Sequence, residues 1–341
     1  MLTCTWAPTV FAGMQLHGSH EAPRDPPRGA ALDAIVTGYA KKLEASGLSH
    51  LLIAQRWWGS GQEMEASSLD CLAMTTLFAA RTTRLQLVTA IHPGFFSPTA
   101  IAKWGATMDL ITGGRWSINV TSGWNLREFS MYGVDALDHD ARYARAAEFI
   151  DVLRGAWTNE TFDYRGQYYQ ADGLQLQPRP GVPLTVFQGG QSDAAIELAA
   201  GHSDWMFLNG GALDRIAGIV GRARTAAGRK GRTVRFAMHA QPLCRATDAQ
   251  AWQVIEHLIA TLDPAMVARR RQALAGAQGM WSTDDDLSML DTNEGYAARL
   301  IGSPATVLHR IREYEAAGID MLHLTLGDEL FAAQVLPRIC S

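Results

Sequence analysis

The sequence predicts an α/β protein built as a (β/α)8 TIM barrel with insertions. Short apolar runs alternate with longer segments of helical periodicity along almost all of the 341 residues. Eight strand-then-helix units can be counted in this alternation, which favours a closed barrel over an open sheet. Barrels reach this length as one domain, so we expect a single domain over residues 1–341.

The predicted strands are the short apolar runs: Leu2–Trp6, His50–Ile53, Leu85–Ala90, Trp116–Thr121, Leu184–Gln188, Asp204–Leu208, Val234–Gln241 and Met321–Thr325. The segments between them repeat apolar residues at three- and four-residue spacing, which is typical of amphipathic helices. These predicted helices are Ala30–Ala45, Leu69–Arg81, Pro98–Ile111, Asp140–Trp157, Ser192–Ala200, Leu213–Ala227, Asp248–Leu262, Pro304–Ala317 and Asp328–Leu336. Pro98 and Pro304 suit a first helical turn, and Gly47 and Gly318 suit C-terminal caps.

Two segments interrupt the alternation. Residues 161–183 are rich in aromatic residues and glycine, and they predict a hairpin excursion before the fifth strand. Residues 263–297 show no clear strand. Because long irregular segments in barrels often cover a functional site, we expect residues 263–297 to form a mobile lid.

Composition excludes several classes of protein. The chain has 30 Lys and Arg against 34 Asp and Glu, so it lacks the basic surplus of a nucleic-acid binder. No run of 18 apolar residues and no secretory signal is present, which predicts a cytoplasmic protein that does not span a membrane. The four cysteines form no C-x-x-C pair, and we expect reduced thiols.

The catalytic face of a barrel lies at the carboxyl ends of its strands. In this sequence those ends carry aromatic and neutral polar residues and few carboxylates. Motifs for a catalytic metal, a serine nucleophile or paired carboxylates are not evident, so we predict no metal site. An aromatic mouth favours a flat, phosphorylated cofactor.

A glycine-rich turn, Gln188-Gly189-Gly190-Gln191-Ser192-Asp193, separates the fifth strand from its helix. Glycines let a ligand approach the backbone, and the helix N-terminus with the Ser192 hydroxyl would favour a phosphate. The same pattern also fits a plain strand-to-helix turn in which Ser192 is only the N-cap. The motif alone leaves the two interpretations about equal.

Four segments together resemble the bacterial luciferase-like flavin monooxygenases. They are Thr112–Gly133, with TGGRWSINVTSGWNLREFSMYG; His139–Tyr143, with HDARY; Phe187–Ala200, with FQGGQSDAAIELAA; and Leu300–Pro304, with LIGSP. The resemblance extends over essentially the whole chain and is strongest to the two-component, dimethylsulfone-type branch. It implies the barrel fold and the use of reduced FMN, which a separate NAD(P)H:flavin reductase would supply. It also implies activation of O2 as a flavin peroxide and a homodimer or homotetramer.

The resemblance implies a set of FMN-binding residues: Ala54, Gln55, Asn119, Glu128, Arg142, Tyr143, Gly190, Gln191 and Ser192. This set is chemically reasonable. Asn119 can donate to and accept from a flavin edge, and Arg142, Tyr143 and the turn at Ser192 can hold a phosphate.

Asn119, His92 and His239 are the predicted catalytic residues. Either histidine, at the end of its strand, could exchange protons near neutral pH. The predicted substrate pocket consists of His17, Trp57, Trp58, Trp124 and Gln241. The three tryptophans have packing as an alternative role, and His17 has a solvated loop position as its alternative.

The chain departs from the alkanesulfonate branch at positions where those enzymes carry His, Cys, Arg, His, Tyr and Arg. The residues here are, in turn, Val10, Ser68, His239, Gln241, Gly327 and Asn293. Without guanidinium groups to clamp an anion, a sulfonate substrate is disfavoured.

The predicted function is therefore an FMNH2- and O2-dependent monooxygenase that acts on a small neutral organic compound, with organosulfur compounds among the candidates. Two alternatives remain at this point. A deazaflavin (F420)-dependent dehydrogenase would use the same barrel and turn, and a non-catalytic flavin-binding protein would bind oxidised FMN without turnover.

Overall fold

The computed structural model describes residues 1–11, 16, 25–57, 67–274, 277–279 and 285–340. Its centre is a closed barrel of eight parallel strands, so the predicted (β/α)8 fold is confirmed. The strands are β1 (Leu2–Trp6), β2 (His50–Ile53), β3 (Gln86–Ile91), β4 (Trp116–Thr121), β5 (Phe162–Arg165), β6 (Gln170–Leu174), β7 (Thr185–Gly189), β8 (Trp205–Leu208), β9 (Arg235–Ala240), β10 (Leu243–Cys244), β11 (Ile301–Gly302) and β12 (Met321–Leu324). Around the barrel the order is β1-β12-β9-β8-β7-β4-β3-β2.

The helices of the described residues surround the barrel. They are α1 (Ala30–Ala45), α2 (Cys71–Ala79), α3 (Pro98–Thr112), α4 (Leu126–Met131), α5 (His139–Thr158), α6 (Asp193–His202), α7 (Leu213–Arg229), α8 (Asp248–Ala260), α9 (Pro264–Ala273), α10 (Pro304–Ala316), α11 (Glu329–Gln334) and α12 (Leu336–Ile339). The short helix α4 was not predicted. The predicted terminal helix is divided in two at Val335, because Pro337 in the next turn supplies no backbone N–H.

The two irregular segments differ in structure. Within residues 161–183, β5 and β6 pair antiparallel with a shift in register. Within residues 263–297, the described part contains α9 and two short 3-10 helices, Asp286–Met289 and Gly295–Ala298. The mobility of this second segment stays a prediction.

Two apolar layers hold the barrel together. The larger one fills the space between the strands and the helices. The smaller one fills the barrel interior and includes Cys4, Leu52, Val88, Phe187 and Met321. Alternation along each strand sends successive side chains to these two layers. The interior layer fills the barrel below its carboxyl ends.

The four cysteines, Cys4, Cys71, Cys244 and Cys340, are free. Among the described helices, none combines the length and the apolar composition that crossing a bilayer requires.

Candidate functional site

A cleft opens at the carboxyl ends of the barrel strands and encloses about 1050 Å³ of space, its open mouth included. Most of the predicted site residues that the structure describes line it. These are Ala54, Gln55, His92, Asn119, Trp124, Arg142, Tyr143, Gly190, Gln191 and His239.

Gln55 and His92 connect the ends of β2 and β3. The side-chain oxygen Oε1 of Gln55 accepts a hydrogen bond from the backbone N–H of His92 at 2.8 Å. Its Nε2 group is buried and has no hydrogen-bond partner among the described residues. Gln55 is only 4% exposed, so this amide group is held in place and can donate to a ligand in the cleft.

Glu128 lies behind the cleft rather than in its lining. Its Oε1 accepts a hydrogen bond from the Trp57 N–H at 2.9 Å, and its Oε2 lies 3.5 Å from Nδ1 of His92. Burial raises the pKa of Glu128, but the interactions with His92, the Trp57 N–H and Arg56 outweigh burial and the net pKa is lowered. Glu128 therefore supports the cleft wall as a carboxylate.

Trp57 packs in an aromatic group outside the cleft lining. Its ring centroid lies 5.1 to 5.3 Å from those of Phe95, Phe96 and Tyr132. The Trp57 ring therefore packs against other aromatic rings, which is the alternative role considered from the sequence. Its backbone N–H donates to Glu128.

Neutral polar atoms line the centre of the cleft. Oδ1 of Asn119, Oγ of Ser122 and Nδ2 of Asn209 are buried, and no hydrogen-bond partner for them lies among the described residues. An orphaned buried polar group costs roughly 1–3 kcal/mol. These groups therefore favour a ligand that offers several donors and acceptors.

The glycine-rich turn after β7 forms one end of the cleft. Gly190 has φ +137°, and a Cβ atom there would lie 2.8 Å from the Tyr143 hydroxyl. Ser192 caps α6 and its Oγ accepts from the Ala195 N–H at 3.3 Å. Burial raises the pKa of Tyr143, against smaller opposing effects of its hydrogen bond to Ser192 and of Arg142. Tyr143 is therefore a neutral donor beside a helix N-terminus.

Part of the segment after α9 covers this turn. The carbonyl oxygen of Gly279 accepts hydrogen bonds from Gln191 at 2.6 Å and from Arg215 at 2.9 Å. Arg215 also pairs with the buried carboxylate of Glu294 at 3.1 Å. Ala277 contributes to the cleft lining.

Trp124 connects the rim to α9. The guanidinium carbon of Arg270 lies 4.6 Å from the Trp124 ring centroid, and that of Arg56 lies 5.9 Å away. Arg270 is 3% exposed, and its Nη2 donates to the carbonyl oxygen of Thr292 at 3.2 Å. Trp124 therefore lines the cleft and also contacts the segment expected to cover it.

His239 and His323 lie side by side at the floor of the cleft. They are register partners on β9 and β12, and their Nδ1 atoms are 3.3 Å apart. Trp6 packs on His323 with ring centroids 4.3 Å apart. Sequence reasoning missed His323, although it lies in a predicted strand. Strand alternation could have indicated that the His323 side chain faces the barrel interior, and closure of the barrel by the last strand could have indicated that it lies near the cleft.

A sequence model described as "Luciferase-like monooxygenase" matches residues 6–321. The chain belongs to this family. The predicted resemblance is thereby confirmed.

Two curated relatives in the luciferase-like family carry the same name. An FMNH2-dependent dimethylsulfone monooxygenase of Pseudomonas fluorescens is 34% identical over 313 residues, which are 88% of this chain and 85% of that protein. Its namesake from Pseudomonas putida is 33% identical over 320 residues, with 88% and 87% covered. Among solved structures, a riboflavin lyase with modified FMN and riboflavin shares the fold, with TM-score 0.79, 18% identity and coverage of 99% and 91%.

Several predicted residues of this luciferase-like chain lie away from the cleft lining or outside the described residues. His17 and Trp58 lie outside the described residues. Ser192 lies at the turn but does not contribute to the lining. Gln241 donates from its Nε2 to the Tyr296 hydroxyl at 3.3 Å.

The positions that distinguish this luciferase-like chain from the alkanesulfonate branch carry no charged side chain at the described rim. Val10 and Ser68 pair in an antiparallel bridge beside the barrel mouth. Asn293 lines the cleft. Its backbone turn is fixed by Asp291, whose carboxylate accepts N–H bonds from Asn293, Gly295 and Tyr296 at 2.7 to 3.1 Å.

The cleft fits a flavin mononucleotide on the chemistry of its donors. Neutral polar atoms in the middle can meet the ring edges, while the turn and α6 N-terminus can meet a phosphate. The glycine at 190 leaves the space that a Cβ atom would fill. Within the described residues, no group of three or more His, Cys, Asp or Glu side chains could hold a metal ion.

Proposed function

We propose that this luciferase-like chain is a monooxygenase that uses reduced FMN and O2 to oxidise a small neutral compound of the sulfone type. One observation carries the proposal. Buried neutral polar atoms without described partners run along one cleft, which ends at a glycine turn and the N-terminus of α6. The names of the two curated relatives support the cofactor and the class of reaction.

The residues divide into two groups toward FMN. Gln55 and Asn119 would hold the polar edge of the ring system, because one presents a donor and the other an acceptor. Tyr143, Arg142 and the turn at Gly190 would hold the phosphate, because they combine neutral and charged donors at a helix N-terminus. Bound reduced FMN would supply two electrons, with which one oxygen atom becomes water and the other enters the substrate.

Other residues at the floor and the rim would exclude water from the cleft. The Trp6 and Phe207 rings pack against His323 at the floor, while Trp124 with Arg270 holds α9 at the rim. A dry cleft prevents loss of reactive oxygen before it meets the substrate. The same cover must open for entry of reduced FMN, which we infer comes from a separate NAD(P)H:flavin reductase.

The proposed substrate class rests on the residues that replace the charged groups of the alkanesulfonate branch. Val10, Ser68 and Asn293 are neutral, and Asn293 lines the cleft together with predicted FMN-binding residues. The Arg56 guanidinium in the same lining lies against the Trp124 ring. An amide can donate to a sulfonyl oxygen without the charge that would favour a sulfonate. The relatives' names support dimethyl sulfone as the first compound to try.

The test is anaerobic mixing of the protein with photoreduced FMN, followed by oxygenated buffer with dimethyl sulfone in a stopped-flow cell. We expect saturable binding of reduced FMN, delayed flavin reoxidation and sulfone-dependent product. Reoxidation at the rate of free FMN, without binding, would contradict the proposal. Turnover of a deazaflavin without O2, or binding of oxidised FMN alone, would favour one of the two alternative functions.

A matched pair of variants tests the site. Asn119→Leu removes the orphaned amide at similar volume, and we expect at least about tenfold weaker binding of reduced FMN. Asn159→Leu makes the same change at the exposed end of α5 and should leave binding unchanged.

Light scattering of the purified protein checks the predicted homodimer or homotetramer.

A further inference from the structure

We propose that His239 and His323 form one proton-exchanging unit, in which Nε2 of His323 takes up and returns a proton for the chemistry of the cleft. His239 is the positioning residue, because it holds the His323 ring through the contact between their Nδ1 atoms. The inference rests on the proposed monooxygenase function and adds to it a group that acts in proton transfer.

Register creates the pair. β9 and β12 are parallel neighbours in the barrel, and His239 and His323 are directly paired across them. Both side chains point into the cleft and line it. The distance of 3.3 Å between the two Nδ1 atoms allows one N–H···N hydrogen bond. Two nitrogen lone pairs facing each other at that distance would repel, so one Nδ1 must carry hydrogen.

His323 has its other nitrogen available. It is 1% exposed, and its Nε2 has no hydrogen-bond partner among the described residues. Trp6 and Phe207 pack on the ring edge-on, with centroids 4.3 and 5.3 Å away. A buried polar atom that the surrounding protein leaves unpaired calls for a ligand or a function.

The groups that face the pair favour its neutral form. Burial lowers the pKa of His239, against smaller opposing effects of Asp291 and of a hydrogen bond to the His323 backbone. Burial also lowers the pKa of His323 and the neighbouring His239 lowers it further, against a smaller opposing effect of a hydrogen bond to the Thr5 backbone. On the β1 side, Cys4 is the register partner of His323, and burial raises the pKa of its thiol. Asp291 is therefore the charged group acting on a pair that is neutral near pH 7.

The hydrogen count is balanced in each state. In the resting pair, Nδ1–H of His323 donates to Nδ1 of His239, Nε2 of His239 carries hydrogen and Nε2 of His323 is bare. One of the two protons that end in the product water first binds that bare Nε2 and makes the pair singly positive. The same proton then passes to the oxygen that leaves as water, and the pair returns to neutral without any change in electrons.

The first test needs no turnover. Nitrogen NMR of the whole protein labelled with ¹⁵N-histidine reports the tautomer and charge of each ring, with assignment from His323→Asn and His239→Asn. At pH 7 we expect both rings neutral, with a hydrogen-bonded Nδ1–H on His323 that disappears in His239→Asn. Two rings with hydrogen only on Nε2, or a charged pair at pH 7, would overturn the proposal.

The second test is the pH profile of kcat with photoreduced FMN, O2 and dimethyl sulfone. General acid–base groups contribute roughly 10²–10⁴-fold, so we expect His323→Asn to lower kcat about 100-fold and remove the acidic limb of the profile. His323→Gln should have the same effect as His323→Asn. His239→Asn should lower kcat less and should shift the pH of the acidic limb. Binding of reduced FMN should change less than about threefold.

His50→Asn is the matched control. His50 is a half-buried histidine, with its pKa lowered to about 4 by burial and by Arg235, and it starts β2 at the opposite end of the barrel. Its replacement should leave the profile unchanged. Unchanged kcat and profile in His323→Asn would overturn the pair's role. Failure of wild-type protein to bind reduced FMN would instead contradict the proposed function, and the NMR result separates the two failures.

Discussion

The side-chain oxygen of Gln55 accepts a hydrogen bond from the backbone N–H of His92 at 2.8 Å. This bond determines which half of the amide faces the cleft. The oxygen is occupied by β3, so the NH2 group is the part available to a ligand. The hydrogen bond between the ends of β2 and β3 thus orients the Gln55 amide so that its NH2 group can donate to a ligand.

Gln55→Glu tests that orientation. A carboxylate can still accept from the His92 N–H, but it has no donor for a flavin and brings a negative charge into a buried site. We expect reduced FMN to bind roughly 10- to 100-fold more weakly in an anaerobic titration. Gln250→Glu, the same change on the exposed face of α8, should bind like wild type. Equal affinities of the two variants would refute the assignment.

Glu128 should stabilise the protein in a pH-dependent way. Its pKa is lowered in the folded chain, so its contribution is present above the ordinary value of about 4.3 and is lost as pH falls through the lowered native value. Glu128→Gln should therefore reduce the free energy of unfolding at pH 7 by about 1–3 kcal/mol. The difference from wild type should narrow near pH 3.

Chemical denaturation at pH 7 and at pH 3 measures this difference. Asp140→Asn is the control, because Asp140 is an exposed carboxylate that pairs with a single histidine, His139. We expect it to change stability by less than about 0.5 kcal/mol. A Glu128→Gln effect that is the same size at both pH values would contradict the linkage argument.

Gly190 should tolerate no side chain. A Cβ atom would lie 2.8 Å from the Tyr143 hydroxyl and 3.0 Å from Cβ of Ala195, at a backbone φ of +137°. Gly190→Ala would therefore displace Tyr143 from the turn, and we expect at least about tenfold weaker binding of reduced FMN and of free phosphate. Gly218→Ala on α7 meets nothing within 4 Å and should keep wild-type binding with equal or higher stability.

The barrel could be predicted because apolar residues recur at a different spacing in its strands and in its helices. Eight strand-then-helix units in one chain are compatible with few architectures other than a closed barrel. Placing His92, Asn119 and Gly190 at one cleft needed only the rule that barrel sites follow strand ends. Each of these residues is adjacent to a strand boundary, where local sequence is informative.

The remaining features depend on distances between elements far apart in sequence. His323 meets His239 only because β12 closes the barrel beside β9. Glu128 is predicted as a cofactor contact, and only the structure shows that α4 directs it to the Trp57 N–H and His92 behind the cleft wall. The carbonyl of Gly279 lies in an irregular segment, where no periodicity indicates its contact with Gln191.

The contact between Arg270 and Trp124 should control how tightly the expected lid is held. The Arg270 guanidinium stacks over the Trp124 ring at 4.6 Å and donates to the Thr292 carbonyl, so one buried side chain connects α9 to both sides of the cleft mouth. A buried cation–π contact contributes about 2 kcal/mol or less. Arg270→Gln should therefore raise amide exchange in α9 about tenfold and speed dissociation of reduced FMN.

Arg271→Gln is the adjacent control, because Arg271 is exposed on the same helix. Hydrogen exchange with mass spectrometry compares α9 in both variants, and stopped-flow dissociation compares the release of reduced FMN. If Arg270→Gln loosens α9 but leaves FMN release unchanged, α9 does not cover the cofactor. If both variants exchange like wild type, the stacked contact contributes nothing to closure, and the hydrogen bonds from Gln191 and Arg215 to Gly279 must hold the cover instead.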